Sequence, residues 1–249
     1  MNELLATLDI WRCISFLVAL VLFWIVTGFL KERQLIQEGD SRKINHIVAF
    51  AGGSLLFGWL PEPIARTNLY VVSLSILLLV AAVCYYRDRV LFRYAYAANT
   101  RQSDAPNAAF FFWFSWVVSI TALITIDLLF SKIAITRIAT LVVGIADGIA
   151  EPIGQRYGRL KYRVWSFWGF PSFRSLEGSL AVLLGTFVVM LGCSHPAETG
   201  LVGWLATALL TACAVTGVEA ISPRGSDNFT ILLTAASLTS LFLNTGWIQ

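Results

Sequence analysis

Eight apolar stretches divide this chain of 249 residues, and each is close to the length of a helix that crosses a membrane. Such a helix needs about 20 predominantly apolar residues. Because 57% of the residues are hydrophobic and only 13% are charged, neither a soluble domain nor a disordered chain fits the composition. The stretches are residues 13–30, 44–60, 69–86, 109–130, 133–153, 176–193, 201–221 and 229–247. We therefore predict an all-α polytopic integral membrane protein with about eight transmembrane helices, seven being possible because His46 and two glycines dilute the second stretch.

The connections between these stretches are short. The longest are residues 31–43, 87–108 and 154–175, so no extramembrane domain is expected. We predict a single membrane-embedded catalytic domain, residues 1–249, with its chemistry in the membrane or at its surface and no role in nucleic-acid binding. The cysteines are isolated from one another, so their spacing predicts neither a zinc site nor a disulfide framework.

Lysine and arginine residues are distributed unevenly between the two sides of the predicted bundle. If eight helices alternate in direction, 14 of the 18 Lys and Arg residues fall on one side. Loops rich in these residues are usually cytoplasmic. We therefore predict that both termini lie outside and that four polar segments meet at the cytoplasmic face. These segments are residues 42–46, 147–161, 174–178 and 221–228.

Asp147 and Glu151 are the carboxylates at the end of the fifth apolar stretch. Their four-residue spacing would place them on one face of a helix, about one turn apart. Two like charges at this distance repel unless a cation lies between them or one is protonated. Mg²⁺ favours carboxylate, water and phosphate oxygens, so the pair predicts a magnesium site. The alternative interpretation is that both carboxylates only extend to the membrane–water interface and bind no metal.

Gly154 and Gly158 follow, next to a basic cluster formed by Arg156, Arg159, Lys161 and Arg163. Glycines let backbone amides approach an oxyanion closely, and the cations could neutralise a polyphosphate. No Walker motif is present. A positively charged cytoplasmic loop would have the same composition, so this pattern alone leaves both interpretations open.

The order of these residues resembles a known signature. D-x-x-A-x-x-x-G-x-x-x-G-x-x-K runs from Asp147 to Lys161, and R-S-x-E-G-S runs from Arg174 to Ser179. Together they resemble the nucleotide-binding signature of the dolichol, phytol and polyprenol kinase family. The R-K-x-x-H element at Arg42, Lys43 and His46 is similar to another element of that family. E-x-x-S-P-x-x-x-D-N, from Glu219 to Asn228, resembles its C-terminal element.

The resemblance implies a membrane enzyme that uses CTP as phosphoryl donor and Mg²⁺ as metal, with a long-chain isoprenoid alcohol as acceptor and membrane lipids around it. It implies that the metal is held by acidic residues, which are Asp147, Glu151, Glu177 and Asp227. It implies nucleotide binding by seven residues, which are Gly154, Gly158, Lys161, Arg174, Ser175, Gly178 and Asn228. His46, with Lys43, would face the acceptor hydroxyl and could take its proton, since histidine titrates near neutral pH.

Three features leave the substrate open. The family often has lysine at the position of Arg174 and phytol kinases have aspartate at that of Glu151, while residues 164–173 form an unusually aromatic insertion. That insertion could be a lid over the nucleotide, a guide for an acyl chain or an interfacial anchor. A phosphatidate cytidylyltransferase, which makes CDP-diacylglycerol, is the alternative enzyme. A lipid transporter or flippase is the alternative outside enzymes, although no inverted repeat is visible.

Overall fold

Helices form nearly all of the structure, which is a computed structural model. It describes residues 8–165, 172–193, 200–223 and 225–244, except for the side chains of Ser103, Ser172 and Asn244. The α-helices are α1 Ile10–Glu32, α2 Glu38–Ile47, α3 Gly53–Phe57, α4 Glu62–Tyr85, α5 Val90–Asn99, α6 Ala108–Phe130, α7 Ile133–Val142, α8 Gly148–Tyr157, α9 Leu176–Cys193, α10 Gly200–Ile221 and α11 Asp227–Asn244. The strands are β1 Lys161–Val164 and β2 Ser172–Ser175, and a short 3₁₀ turn covers Gln102–Asp104. Val48–Gly52 and Val143–Asp147 are π-helical and join α2 to α3 and α7 to α8.

Six helices of the described chain are long and apolar enough to cross a membrane, and Asp227–Leu243 is a shorter apolar helix. The six are Ile10–Glu32, Glu62–Tyr85, Ala108–Phe130, Ile133–Tyr157, Leu176–Cys193 and Gly200–Ile221. The all-α polytopic class is thereby confirmed. The second predicted stretch is not among the six because its helix begins early, at Glu38, and so includes the polar residues Asp40, Arg42 and Lys43.

Contacts divide the chain into two compact units, residues 1–120 and 121–249, and each is described by itself. The expected single domain stays a prediction. The first unit contains a helix that the sequence did not predict, α5, which packs on α1. At the closest approach a Cβ added to Gly28 would lie 1.9 Å from the carbonyl oxygen of Tyr94, so only glycine fits there. Trp24, also on α1, is buried against Phe112 and Trp116.

The second unit packs α7, α8, α9, α10 and α11 around a core of small and branched residues. Gly185 of α9 faces Ala146, and a Cβ on this glycine would lie 3.0 Å from the Cα of Ala146. Small residues of this kind let membrane helices approach closely. The strands β1 and β2 form a hairpin between α8 and α9, and this hairpin organises the candidate site.

Candidate functional site

The β1–β2 hairpin is fixed at its base by Glu177, the second residue of α9. Glu177 Oε1 accepts hydrogen bonds from the backbone amides of Arg159, at 2.8 Å, and Leu160, at 3.4 Å. The amide of Leu176 donates to the carbonyl of Leu160 at 3.0 Å. The last turn before β1 is therefore tied to the first turn of α9, and the hairpin lies at one end of the second unit.

The register of the hairpin gives it two different faces. The two strands are antiparallel, with Tyr162 opposite Arg174 and Arg163 opposite Phe173. Since opposite residues share a face and successive residues alternate, Tyr162 and Arg174 lie on one face and Lys161, Arg163 and Phe173 on the other. We call the first the inner face, because its side chains contact the helices. The second is the outer face, where Lys161, Arg163 and Phe173 are all exposed. Ser175, opposite Lys161 at the base of the hairpin, also belongs to this face but is buried against Gly154 and Gly158.

Arg174 on the inner face is the centre of a polar cluster. Its Nη1 forms an ion pair with Glu219 Oε1, and its Nη2 lies 3.7 Å from Asp227 Oδ2. Nη2 also donates to the carbonyl oxygen of Ser222 at 3.2 Å. We call Arg174, Glu219 and Asp227 the Arg174 cluster. It connects β2 to the end of α10 and the start of α11. Together with the contacts of Glu177 to Arg159 and Leu160, it brings together three of the four polar segments expected to meet.

Hydrogen bonds extend this cluster to β1 and α9. Ser179 Oγ lies 3.5 Å from Glu219 Oε2 and 2.7 Å from the hydroxyl of Tyr162. Glu219 is only 5% exposed, so its carboxylate is stabilised by these partners rather than by water. Glu219, Tyr162 and Ser179 were assigned no role from the sequence. Glu219 and Ser179 do stand in the motifs from Glu219 to Asn228 and from Arg174 to Ser179. The position of a carboxylate in the last turn of an otherwise apolar helix is a further signal for a role of Glu219.

The glycines of the predicted nucleotide signature pack helices together. A Cβ on Gly154 would lie 2.8 Å from Ser175 Oγ, and one on Gly158 would lie 2.1 Å from the carbonyl oxygen of Gly154. The amide of Gly158 donates to that same carbonyl, and the amide of Gly178 donates to Ser175 Oγ, which caps α9. The amides of Gly158 and Gly178 are thus engaged within the protein. Gly154, Gly158, Ser175 and Gly178 form what we call the glycine seam between α8 and α9.

Asp147 ends the π-helical segment before α8 and is only 4% exposed. Pro152, four residues after Gly148, lies inside α8 and has no amide hydrogen to donate to the Gly148 carbonyl. Single π turns occur often at functional sites. Glu151 differs from Asp147, because it is partly exposed and its Oε1 accepts a hydrogen bond of 3.1 Å from the side chain of Gln155.

The predicted carboxylate ligands do not form an all-protein metal cage. Within the residues that the structure describes, no group of three or more His, Cys, Asp or Glu side chains could hold a metal ion. Mg²⁺ in nucleotide sites is usually held by one or two carboxylates together with substrate phosphates and water. Asp227 fits this smaller role, since it is only loosely paired with Arg174 at 3.7 Å. Glu177 also retains one carboxylate oxygen, Oε2, that is shielded and has no hydrogen-bond partner.

Asp227 and Asn228, the remaining predicted site residues of the second unit, begin α11. Asp227 Oδ1 accepts a hydrogen bond of 3.1 Å from the amide of Asn228, and the Asn228 side chain is buried. The other carboxylate oxygen of Asp227, Oδ2, is the atom that lies 3.7 Å from Arg174 in the Arg174 cluster. Lys161, by contrast, lies on the outer face of the hairpin, so the two cations predicted to neutralise phosphates occupy opposite faces.

Lys43 and His46 belong to the first unit. Lys43 is buried in α2, and the ring of His46 packs on that of Phe50 with centroids 4.6 Å apart. The π-helical segment Val48–Gly52 begins two residues after His46, so two of the three residues predicted to be catalytic, His46 and Asp147 but not Lys43, lie in or beside a π turn.

A buried amide network surrounds this part of α2. Asn45 accepts a hydrogen bond of 3.1 Å from the Thr27 hydroxyl, and its amide nitrogen lies 3.5 Å from the side-chain oxygen of Asn99. The hydroxyl of Ser41 donates to the carbonyl of Ala98 at 2.8 Å. These contacts fix α2 against α1 and α5 and so determine where Lys43 and His46 lie within the first unit.

Comparison with known proteins gives one informative similarity. The chain is 35% identical over 99 residues to a phytol kinase from Synechocystis sp. (strain ATCC 27184 / PCC 6803 / Kazusa). The match covers 40% of this chain and 40% of the length of that protein. No protein-family model matches the chain, and no solved structure matches it. Part of this membrane protein is thus similar to part of a phytol kinase.

Proposed function

We propose that this protein is a CTP-dependent kinase that phosphorylates the hydroxyl of a long-chain isoprenoid alcohol, such as a polyprenol, phytol or a dolichol-like lipid, at the cytoplasmic membrane face. The observation that carries the proposal is the similarity to phytol kinase over 99 residues. It is supported by the Arg174 cluster, which places charged side chains at the end of an apolar helical unit. Ionisable residues in such positions are costly and are usually functional.

The nucleotide binds, in this proposal, on the inner-face side of the hairpin. Phosphoryl transfer depends mostly on positioning and on cationic stabilisation of the charge on the transferred group. Arg174 has five N–H donors, so pairing with Glu219 and Asp227 leaves donors that can contact a phosphate. Asp227 is the residue best able to hold a Mg²⁺ ion that arrives with the nucleotide. That ion would neutralise part of the phosphate charge. Asp147, Glu151 and Glu177 remain proposed ligands, and Asn228 a proposed nucleotide contact.

His46 and Lys43 remain the residues proposed to act on the acceptor hydroxyl. An imidazole nitrogen of His46 would take the proton of the alcohol as its oxygen bonds to the γ-phosphorus of CTP. The bond from the γ-phosphorus to the bridging oxygen breaks, and CDP leaves. Lys43 would stabilise the phosphate formed on the lipid. The lipid alcohol can enter laterally from the bilayer, while CTP enters from the aqueous side.

Isotope transfer tests this function. Purified protein in lipid nanodiscs is incubated with CTP labelled at the γ or the α phosphate and with a panel of isoprenoid alcohols and phosphatidate. Transfer of the γ label to an alcohol supports the kinase. Transfer of the α label to phosphatidate, with release of pyrophosphate, would instead identify a cytidylyltransferase. Transfer of neither label would reject both enzymes and favour lipid transport.

A further inference from the structure

The outer face of the hairpin has a composition unlike that of the inner face. It carries the cations Lys161 and Arg163 and the aromatic residue Phe173, which is 64% exposed. Trp165 directly follows β1 and is 65% exposed. Among the paired residues 161–164 and 172–175, no acidic residue shares this face, which consists of Lys161, Arg163, Phe173 and Ser175.

The two cations of this face differ from other basic residues of the protein. Arg93 pairs with Glu32 at 3.1 Å, and Lys31 pairs with Glu38 at 3.2 Å. Among the residues that the structure describes, Lys161 and Arg163 have no carboxylate partner. Their charge is therefore directed outward, where it is complementary to an anionic surface.

The position of the hairpin indicates which surface this is. It connects two helices of membrane-spanning length, which end at Tyr157 and begin at Leu176. Tyr157, Leu160 and Leu176 at its base are exposed. Since helices of this length leave the hydrocarbon at their ends, the base of the hairpin lies at the depth of the lipid headgroups. Aromatic residues with an amphipathic ring and nearby cations are typical of that layer.

We propose that the exposed outer-face residues Lys161, Arg163 and Phe173, together with the adjacent Trp165, bind the headgroups of anionic phospholipids. The cations contact lipid phosphates, while Trp165 and Phe173 enter the boundary between headgroups and acyl chains. The inner face is held by the protein, through the Arg174 cluster and the Tyr162–Ser179 hydrogen bond. The hairpin thus lies between the bilayer surface and the helix ends. Because Arg174 lies on β2 of this hairpin, lipids bound to the outer face contact the same segment that carries Arg174.

A fluorescent reporter at the outer face tests this inference without measuring catalysis. The full chain, with its native cysteines replaced, carries a single labelled cysteine at Phe173. It is placed in nanodiscs of phosphatidylcholine alone or with increasing phosphatidylglycerol. Lipids with bromine near the headgroup then quench the label according to its depth. We expect quenching to increase with phosphatidylglycerol and to weaken at high salt.

Charge variants identify the residues responsible. Arg163→Gln should raise the phosphatidylglycerol content needed for half-maximal quenching by about fivefold, and Lys161→Gln by a similar factor, because each cation near an anionic surface contributes comparably. Arg163→Lys, which keeps the charge, should restore the response and so excludes misfolding as the cause. Arg93→Gln is the matched control, since Arg93 is exposed but already paired with Glu32, and should shift nothing.

Two results would overturn the inference. Quenching that is independent of phosphatidylglycerol in the unsubstituted reporter would show that anionic headgroups do not bind this face. Protection of the label by CTP in phosphatidylcholine alone, without a response to phosphatidylglycerol, would assign the face to the nucleotide instead.

Discussion

Arg174 on β2 and Glu219 in the last turn of α10 form an ion pair that joins the hairpin to the final helices of the chain, and the two side chains are only 13% and 7% exposed. Asp227, at 3.7 Å, is a second and looser carboxylate partner of the same guanidinium. The Arg174–Glu219 pair therefore has two consequences. It fixes the inner face of the hairpin, and, because Glu219 is the nearer partner of Arg174, it leaves the carboxylate of Asp227 available to a cation that arrives with the nucleotide.

Removing one member of this pair should destabilise the protein strongly. Glu219→Ala leaves the largely desolvated guanidinium of Arg174 with a distant carboxylate, that of Asp227, and the carbonyl oxygen of Ser222. Breaking a buried pair in this way costs about 3–5 kcal/mol. The double variant Arg174→Met/Glu219→Leu should recover most of the loss, because neither charge then remains. The measurement is the free energy of unfolding, followed through thermal unfolding in detergent.

Glu32→Ala is the matched control for that experiment. It breaks the Arg93–Glu32 pair, whose side chains are 54% and 34% exposed. An exposed pair contributes about 1 kcal/mol or less. Equal losses of stability in the Glu219 and Glu32 variants would contradict the structural role assigned to Glu219.

The glycine seam predicts which glycines tolerate a methyl group. Gly158→Ala would place a Cβ 2.1 Å from the carbonyl oxygen of Gly154, so we expect a loss of about 1–3 kcal/mol or more from overpacking. Gly192→Ala and Gly217→Ala are controls in the same unit, since a Cβ on either meets nothing within 4 Å. Thermal unfolding of the three variants distinguishes packing from a general effect of alanine.

Gly154→Ala has a specific suppressor. Its added Cβ would lie 2.8 Å from Ser175 Oγ, so Ser175→Ala in the same chain should relieve that contact. The suppression will be partial, because Ser175 also caps α9 and loss of such a cap costs about 1 kcal/mol. If the double variant were less stable than the sum of the single losses predicts, the close contact would not be the cause.

The opposite placement of Lys161 and Arg174 separates their expected effects on the nucleotide. If CTP binds on the inner-face side, Arg174→Ala should raise the KM for CTP by roughly ten- to a hundredfold, as expected for a charge-assisted contact of about 1.5–3 kcal/mol. Lys161→Ala should change it much less, and the KM for the lipid alcohol should remain unchanged in both. The measurement is steady-state kinetics, normalised to folded enzyme. The reverse order would place the nucleotide on the outer face.

Asp147→Asn should abolish phosphoryl transfer while leaving the protein folded, because the substitution removes charge with little change in volume. Glu151→Gln should have a smaller effect, since Glu151 is partly exposed and bonded to Gln155 rather than buried in the π-helical segment. Turnover is measured over a range of Mg²⁺ concentrations, and circular dichroism checks helical content. Normal magnesium-dependent turnover in Asp147→Asn would remove this residue from the site.

The orientation predicted from the loop charges can be tested by cysteine labelling. In a chain without native cysteines, a cysteine at Phe173 or Ser226 should react with an impermeant reagent only from the cytoplasmic side, and one at Glu62 only from outside. Labelling of the first two positions from opposite sides would be incompatible with the contacts between β2 and the α10–α11 turn.

The sequence by itself determined the class of the protein, because hydrophobic stretches of membrane-spanning length are a local property that tertiary contacts do not alter. It also identified the polar segments and a resemblance to lipid-alcohol kinases. The similarity of 99 residues to a phytol kinase supports that resemblance for part of the chain. It did not predict α5 or the hairpin. The strands are only four residues long and lie beside a basic cluster, so their alternation resembles a charged loop.

Only the tertiary structure decided what the motif residues contact. A glycine that leaves its amide free to bind an anion and a glycine that lets another segment pack closely have the same sequence pattern. Gly154 and Gly158 are of the second kind, because they pack against Ser175. Likewise, Lys161 and Arg174 both appear as cations in one loop, whereas strand register places them on opposite faces. The partnership of Arg174 with Glu219 joins segments that are distant in the chain. Such a pair depends on how helices approach one another, which local composition does not determine.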